Sequence, residues 1–258
     1  LIAAAGTDWS DYEAWLSRHG VNTEKVKVSQ NQHTAIFMVT TDSEMNQIAS
    51  FYPGATSEAR EIELAPIHEA VGGLDLLIVS PDDPEAMLRH TEGAKSLGID
   101  FVADPSQTLA SISGDVIKKL ISGAKYLFTN EYESELIMKK TGWSEADLLN
   151  EVGTKVTTLG SKGSRIDSKG QSTIEIGVPK ISKIEDPTGV GDSYRAGFLA
   201  GLSFGFAHKL CGEIGATLAA YCIETKGTQE YRFEKQEFIT RLAATFGKDC
   251  GDALAAKL

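Results

Sequence analysis

The run Asp186-Pro187-Thr188-Gly189-Val190-Gly191-Asp192-Ser193-Tyr194-Arg195-Ala196-Gly197-Phe198 holds the residues with the clearest chemical use. Two glycines precede an acid, and a helix-compatible stretch follows. Gly189 and Gly191 can take backbone conformations closed to other residues and let a ligand approach the main chain. A helix starting there offers free amide N–H groups and the positive end of its dipole to an anion. The Asp192 carboxylate can accept a proton. Phosphoryl transfer needs this combination: donors for the charge of the moving phosphate and a base for the attacking hydroxyl. Taken alone, Gly189-Val190-Gly191-Asp192 reads equally as a glycine-rich turn before an acidic helix start.

Two other stretches carry related chemistry. In Thr129-Asn130-Glu131-Tyr132-Glu133 the oxygens of Asn130 and Glu133 suit Mg²⁺ or its waters, and an amide can donate to phosphate. The same pair also reads as a polar helix start. In Thr158-Leu159-Gly160-Ser161-Lys162-Gly163 the glycines Gly160 and Gly163 let the chain wrap a purine or phosphate, and Thr158 and Ser161 offer hydroxyls. Six residues of this kind are also an ordinary hairpin turn.

The elements that must position these residues follow from the hydrophobic pattern. Val26–Val28, Ala35–Thr41 and Ile48–Gly54 read as strands of a small sheet. After about residue 74 short apolar runs alternate with amphipathic ones. Strands are predicted at 74–80, 99–104, 125–130 and 156–160. Helices are predicted at 84–97, stopped by Gly98, at 113–122 and from 131 through Lys140. Ser193–Leu202 can form a helix whose small residues permit close packing on the sheet. Repeated β-α units imply a mostly parallel sheet with helices on both faces. Ligands of such sheets bind beyond the carboxyl ends of the strands. Asp104, Asn130, Gly160 and the Gly189–Asp192 turn all fall at or after such ends.

The bulk composition excludes several classes. The chain has 258 residues, 41% hydrophobic and 24% charged, with a net charge of -11. With 25 Lys and Arg in all, it is not a general nucleic-acid binder. No apolar run approaches the length of a membrane span, so no membrane partner is expected. The three cysteines, Cys211, Cys222 and Cys250, lack metal-ligand spacing and read as reduced thiols of a cytoplasmic protein. The five histidines are scattered, which argues against a transition-metal site. The chain opens Leu1-Ile2-Ala3-Ala4-Ala5-Gly6, without an initiator Met or signal-peptide pattern, and reads like a strand already begun. An N-terminal part is therefore expected to be missing.

Taken whole, the string Asp186-x-Thr188-Gly189-x-Gly191-Asp192-x-Tyr194-x-Ala196-Gly197 resembles the C-terminal signature of the ribokinase/PfkB carbohydrate-kinase family. The resemblance implies a ribokinase-like three-layer α/β/α sandwich with a mostly parallel sheet plus a small β-sheet lid. The kinase domain would be 1–25 and 57–258, and the lid 26–56. ATP and Mg²⁺ are implied with it. So are Asp192 as the catalytic base and Gly189, Val190 and Gly191 as the source of the anion-hole amides. Asn130 and Glu133 match the family's Asn-x-x-Glu motif, with Glu133 on Mg²⁺, directly or through water. Thr158, Gly160, Ser161 and Gly163 match its ATP-binding loop.

Within that family the chain is similar to the actinobacterial type of adenosine kinase over nearly its whole length. The stretches that carry the similarity are 33–37, 47–55, Asp104-Pro105-Ser106-Gln107, 127–130 with Tyr132-Glu133, 141–147 and Gly227-Thr228-Gln229-Glu230. In that type two lid phenylalanines sandwich the adenine, and Phe37 and Phe51 match them. The same two residues also read as filling of the lid's small core. Gln107 matches a substrate-contacting glutamine, while Thr108 stands where that type has a second one. The family's Gly-Gly motif and an early Asp that grips the sugar would precede Leu1. Lid strands of the family often pair with a second subunit, and the apolar Phe37–Val39 stretch suits a homodimer. The implied reaction is phosphorylation of the 5′-hydroxyl of adenosine to AMP. A sugar kinase of ribokinase or fructokinase type, and a non-catalytic nucleotide-binding protein, are the alternatives.

Overall fold

Short alanine-rich and β-branched runs make the strands, and side-chain caps fix the ends of several helices. The computed structural model describes residues 1–42, 44 and 47–258. It forms two compact units, Leu1–Leu127 with Glu135–Val152, and Phe128–Ser134 with Gly153–Leu258.

The first unit opens with β1 (Ile2–Ala5), α1 (Ser10–Arg18) and β2 (Lys25–Val28). β1 and β2 pair in parallel, Ala3 opposite Val26 and Ala5 opposite Val28. Ala5, Trp9 and Leu16 bury together beneath them. β3 (Ile36–Thr41) and β4 (Gln47–Tyr52) form a separate antiparallel pair. Residues 26–28 thus do not join the small sheet, as the sequence pattern had suggested. A nine-residue helix connects β1 to β2, and a helical crossover delivers a parallel neighbour.

Next come α2 (Leu64–Ala70), β5 (Leu77–Val79), α3 (Pro84–Leu97), β6 (Phe101–Ala103) and α4 (Gly114–Ile121). They are followed by β7 (Tyr126–Asn130), α5 (Glu131–Thr141) and α6 (Glu145–Glu151). β7 and α5 contribute residues to both units. α3 runs as predicted. The Asp83 carboxylate accepts from the amides of Glu85 and Ala86, Pro84 opens the helix, and Gly98 closes it at φ 69°. β5, β6 and the start of β7 pair in parallel, with Leu77 opposite Phe101 and Val102 opposite Tyr126. Phe101, Leu109, Ile117, Leu127, Ile137 and Leu148 form the centre of this unit's core, each 2% exposed or less.

The second unit adds β8 (Thr154–Thr158), β9 (Ser164–Ser168), β10 (Ile174–Ile176), α7 (Val190–Ser203), α8 (His208–Ile223), α9 (Lys235–Phe246) and α10 (Lys248–Ala255). Here the pattern departs from repeated β-α units. β8 and β9 are antiparallel, Thr158 opposite Ser164, and so are β9 and β10. The reason is the tight connection through Gly160–Lys162, too short for a helix. Gly163 takes φ 95°, and a Cβ there would lie 1.9 Å from the Ile176 carbonyl oxygen.

The small residues of α7 pack on α8 rather than on strands. A Cβ at Gly197 would lie 2.8 Å from Gly215 Cα, and one at Gly201 2.9 Å from Cys211 Cα. The larger residues of α7 meet the strands: Tyr194 shares a 2.7 Å hydrogen bond with the Ser164 hydroxyl, and Phe198 packs edge-on to Phe128 at 5.3 Å. These contacts fix where the N-terminus of α7 points.

Candidate active site

The turn before α7 is built by Asp186. Its carboxylate accepts from the Thr188 amide at 2.9 Å and from the Gly227 amide at 3.1 Å. The Thr188 bond is the main reason this carboxyl lies below its ordinary value. The amides of Glu185 and Asp186 both donate to the Ile223 carbonyl, at 2.8 and 3.4 Å. The Cys222 thiol, pushed up by burial, lies 3.6 Å from the Thr188 carbonyl. Three anchors from the end of α8 and the loop after it therefore hold one short turn.

Gly189 ends that turn at φ 80° and caps α7, its carbonyl accepting from Ser193 at 2.9 Å. A side chain there would meet Thr228, 3.0 Å away. Val190, Gly191 and Asp192 form the first turn of the helix, whose N–H groups lack an intrahelical partner; the Val190 amide reaches the Pro187 carbonyl at 3.5 Å. The Asp192 side chain is 83% exposed, with Oδ1 3.6 Å from the Arg195 guanidinium. It is turned outward, not into the apolar interior.

Val190 and Gly191 line a cavity of about 280 Å³ together with Thr158, Gly160, Ser161 and Gly163. The rest of its wall is mostly apolar, including Val178, Ile184, Ala219 and Ile223. Tyr194 lies in the wall, its hydroxyl held by Ser164; burial pushes this phenol up to about 12, so it stays protonated. The arrangement joins a slot for a flat apolar ring to a rim of hydroxyls and helix-start amides. That chemistry fits a purine nucleotide with its phosphates toward α7.

Asn130 and Glu133 are bonded to each other. The Asn130 side chain accepts from the Glu133 amide, and Glu133 Oε2 accepts from the Asn130 amide, both at 2.8 Å. This reciprocal cap starts α5 at the carboxyl end of β7. Glu133 is buried and Asn130 exposed. Among the described residues no cluster of three or more His, Cys, Asp or Glu could cage a metal. Mg²⁺ keeps several waters and takes only one or two carboxylates beside substrate phosphates, so the donors present fit it in that form.

The residues expected from the sequence to meet the substrate lie in the first unit. Phe37 and Phe51 are directly opposite one another across β3 and β4, 55% and 61% exposed. Gln107 is exposed on a short 3₁₀ turn, Ser106–Ala110, just past the end of β6. Asp104 before it is buried, with its amide bonded to the Val79 carbonyl at 3.0 Å.

Sequence reasoning missed three things. The string around Asp186 marked the turn but not its bonds to Thr188 and Gly227. Arg195 stood in the same string without a role. The root of the hairpin was also missed: the Thr34 amide and hydroxyl both donate to Asp8 at 2.7 Å, and the Gly6 amide donates to the Thr34 hydroxyl at 2.9 Å. Only a contact 26 residues apart in sequence reveals it.

Comparison with known proteins places this geometry. The chain is 34% identical over 232 residues to a nucleoside kinase of Methanocaldococcus jannaschii, covering 89% of this chain and 74% of that protein. It is 32% identical to a nucleoside kinase of Methanothermobacter thermautotrophicus, covering 96% and 79%. The structure of Burkholderia thailandensis nucleoside kinase in complex with inosine superposes with a TM-score of 0.90 at 31% identity, over 95% of this chain and 81% of that one. The same enzyme in complex with ADP-inosine gives a TM-score of 0.88 over 95% and 76%, again at 31% identity. The fold is ribokinase-like α/β, with a mostly parallel sheet and a small antiparallel one. Among the described residues no helix is long and apolar enough to cross a membrane. The profile of the pfkB family of carbohydrate kinases matches residues 1–235, and with the glycine turn, the outward Asp192 and the slot beside them accounted for, the chain belongs to that family.

Proposed function

We propose that this kinase transfers the γ-phosphoryl group of ATP to the 5′-hydroxyl of a nucleoside, with adenosine as acceptor, giving AMP. One observation carries the proposal: Val190 and Gly191 at the start of α7 line the same cavity as Thr158, Gly160, Ser161 and Gly163, with Asp192 exposed on the next residue. The two relatives above 30% identity described here, both named nucleoside kinases, and the aromatic pair Phe37 and Phe51 support a nucleoside over a free sugar, while more distant relatives named ribokinase keep the sugar reading as the alternative.

In this reading the apolar slot seats the purine of ATP, and the Thr158, Gly160, Ser161 and Gly163 loop follows its phosphates. The Asp192 carboxylate accepts the proton of the 5′-hydroxyl. The hydroxyl oxygen bonds to the γ-phosphorus as the bond to the β-bridging oxygen breaks, leaving ADP. The amides of Gly189, Val190 and Gly191, with the dipole of α7, meet the negative charge. Mg²⁺, when bound, neutralises phosphate charge; Asn130 and Glu133 are the residues that would hold it, through water. Gln107 contacts the acceptor. The hairpin within 26–56 acts as a lid that brings Phe37 and Phe51 to the base and excludes water. Its opposite face carries Ile36, Met38, Ile48 and Tyr52, each at least 40% exposed, which suits pairing with a second copy as a homodimer.

The test is ADP release measured with adenosine, inosine, ribose and fructose side by side. Nucleosides are expected to give the higher kcat/KM. A higher value with ribose or fructose would replace this reading with a sugar kinase, and inosine above adenosine would change the base it recognises.

A further inference from the structure

We infer that Arg195 is a positioning residue for the reacting end of α7, its largely covered side chain holding the Asp192 carboxylate at the helix start in the space that Gly191 leaves by lacking a side chain. The inference rests on the proposed phosphoryl transfer and deepens it.

Arg195 follows Asp192 by three residues, so the two share a side of the helix. Nη1 lies 3.6 Å from Asp192 Oδ1. The pair is unlike a solvated surface pair, because the arginine side chain is only 13% exposed while the aspartate is 83% exposed. Burying a guanidinium carries a desolvation cost. The location adds to it. Helical side chains lean toward the N-terminus, and that end of a helix disfavours a cation. An apolar side chain of similar length would serve packing better. The face of Phe128, 6.0 Å from the guanidinium carbon, offsets part of the cost.

The backbone beside it is matched to this group. A Cβ at residue 191 would lie 2.7 Å from Arg195 Nη1. The second glycine of the motif therefore makes room for the guanidinium as well as for a ligand. A guanidinium lying over an aromatic face at this distance is less free to move than one in water. An aspartate as exposed as Asp192 would otherwise sample several rotamers, and a base must be oriented before the hydroxyl arrives. The guanidinium gives it one fixed partner.

The test combines kinetics with melting of the ligand-free chain. Arg195→Ala is expected to lower kcat about tenfold to a hundredfold, with little change in nucleoside KM. Added guanidinium ion should recover part of the loss in Arg195→Ala and none in Asp192→Asn. Arg195→Lys should recover little, since an ammonium neither stacks nor presents a fork. In the ligand-free chain Gly191→Ala should change Tm by a different amount in the Arg195→Ala background, where no guanidinium has to move aside. A kcat that survives Arg195→Ala overturns the inference. So does a loss without guanidinium recovery accompanied by the same Tm effect of Gly191→Ala in both backgrounds. A wild-type chain that phosphorylates no acceptor overturns the proposed reaction and this role with it. An active wild type with an indifferent Arg195→Ala overturns the role alone.

Discussion

Phe37 on β3 and Phe51 on β4 are directly opposed across the hairpin, so both side chains stand on the same face of one two-stranded sheet. Val39 and Ala49, the next pair on that face, extend it. Side-by-side roots favour a shared platform for a flat base over two planes facing each other. Both rings are more than half exposed, so they do not fill a core of the lid. An open apolar platform is unfavourable in water and becomes favourable only when something covers it.

Removing one ring should therefore weaken the nucleoside selectively. Stacking of a base on an aromatic ring contributes about 1–3 kcal/mol. Phe51→Ala is expected to weaken adenosine binding about fivefold to a hundredfold, and ribose binding little. Calorimetric titration with each acceptor checks this. Equal losses for both would mean that the ring supports the hairpin rather than the base.

Asp192 is tested by an isosteric change. Asp192→Asn keeps the shape of the helix start and removes the proton acceptor. General-base removal lowers rates about 10²–10⁴-fold. Turnover should fall by that order while ADP binding stays near wild type, because the slot and amides remain. Near-normal turnover in Asp192→Asn would refute the assigned base.

The reciprocal bonds of Asn130 and Glu133 separate a capping role from a metal role. Asn130→Ala removes the acceptor for the Glu133 amide and is expected to lower stability by about 1 kcal/mol, read by denaturant unfolding. Glu133→Gln retains an oxygen for the Asn130 amide but not the charge. Its stability should stay close to wild type while the Mg²⁺ needed for half-maximal rate rises. An unchanged Mg²⁺ requirement would leave Glu133 a cap alone.

Asp186 gives a pH dependence with a definite sign. Its carboxyl lies below the ordinary value of 3.8 in the folded chain, chiefly through the Thr188 amide. A lowered folded value means that the stabilisation is fully present above the ordinary value and is lost as pH falls through the folded one. Melting of the wild type should therefore weaken more steeply than that of Asp186→Asn below about pH 4. Parallel curves for the two proteins would show that this carboxylate does not stabilise the turn.

Local chemistry made much of the site legible in the sequence. Gly189 and Asp192 announce a helix start because glycine suits φ 80° at Gly189 and an acid suits the first turn of α7. Asp83-Pro84 and Gly98 bracket α3 for equally local reasons. What stayed hidden depends on partners far away in the chain. Nothing in Lys25–Val28 says that it pairs with Ile2–Ala5 rather than with the hairpin. The glycines of α7 were legible as close-packing residues, but not that Gly215 and Cys211 of α8 are what they approach. β9 alternates too briefly to be read before its antiparallel partners are known. Asp8 acts through Thr34 and Asp186 partly through Gly227, bonds that no spacing rule finds.

The root of the hairpin provides the last test. Thr34 accepts from the Gly6 amide and donates to Asp8 through both its amide and its hydroxyl, so one side chain ties the start of β3 to the turn after β1. The Thr34 amide is the main cause of the lowered Asp8 carboxyl, which marks the bond as favouring the ionised form. Thr34→Val keeps the shape and the backbone amide but loses the hydroxyl. It leaves the Gly6 amide without that acceptor, at about 1–3 kcal/mol if it stays dry. The hairpin should then open more often on its own. Hydrogen exchange in Ile36–Thr41 and Gln47–Tyr52 is expected to quicken, with the nucleoside KM rising and ADP binding unchanged. Slow exchange retained in Thr34→Val would show that the hairpin is held elsewhere, and a KM that rises without faster exchange would place Thr34 in contact with the acceptor.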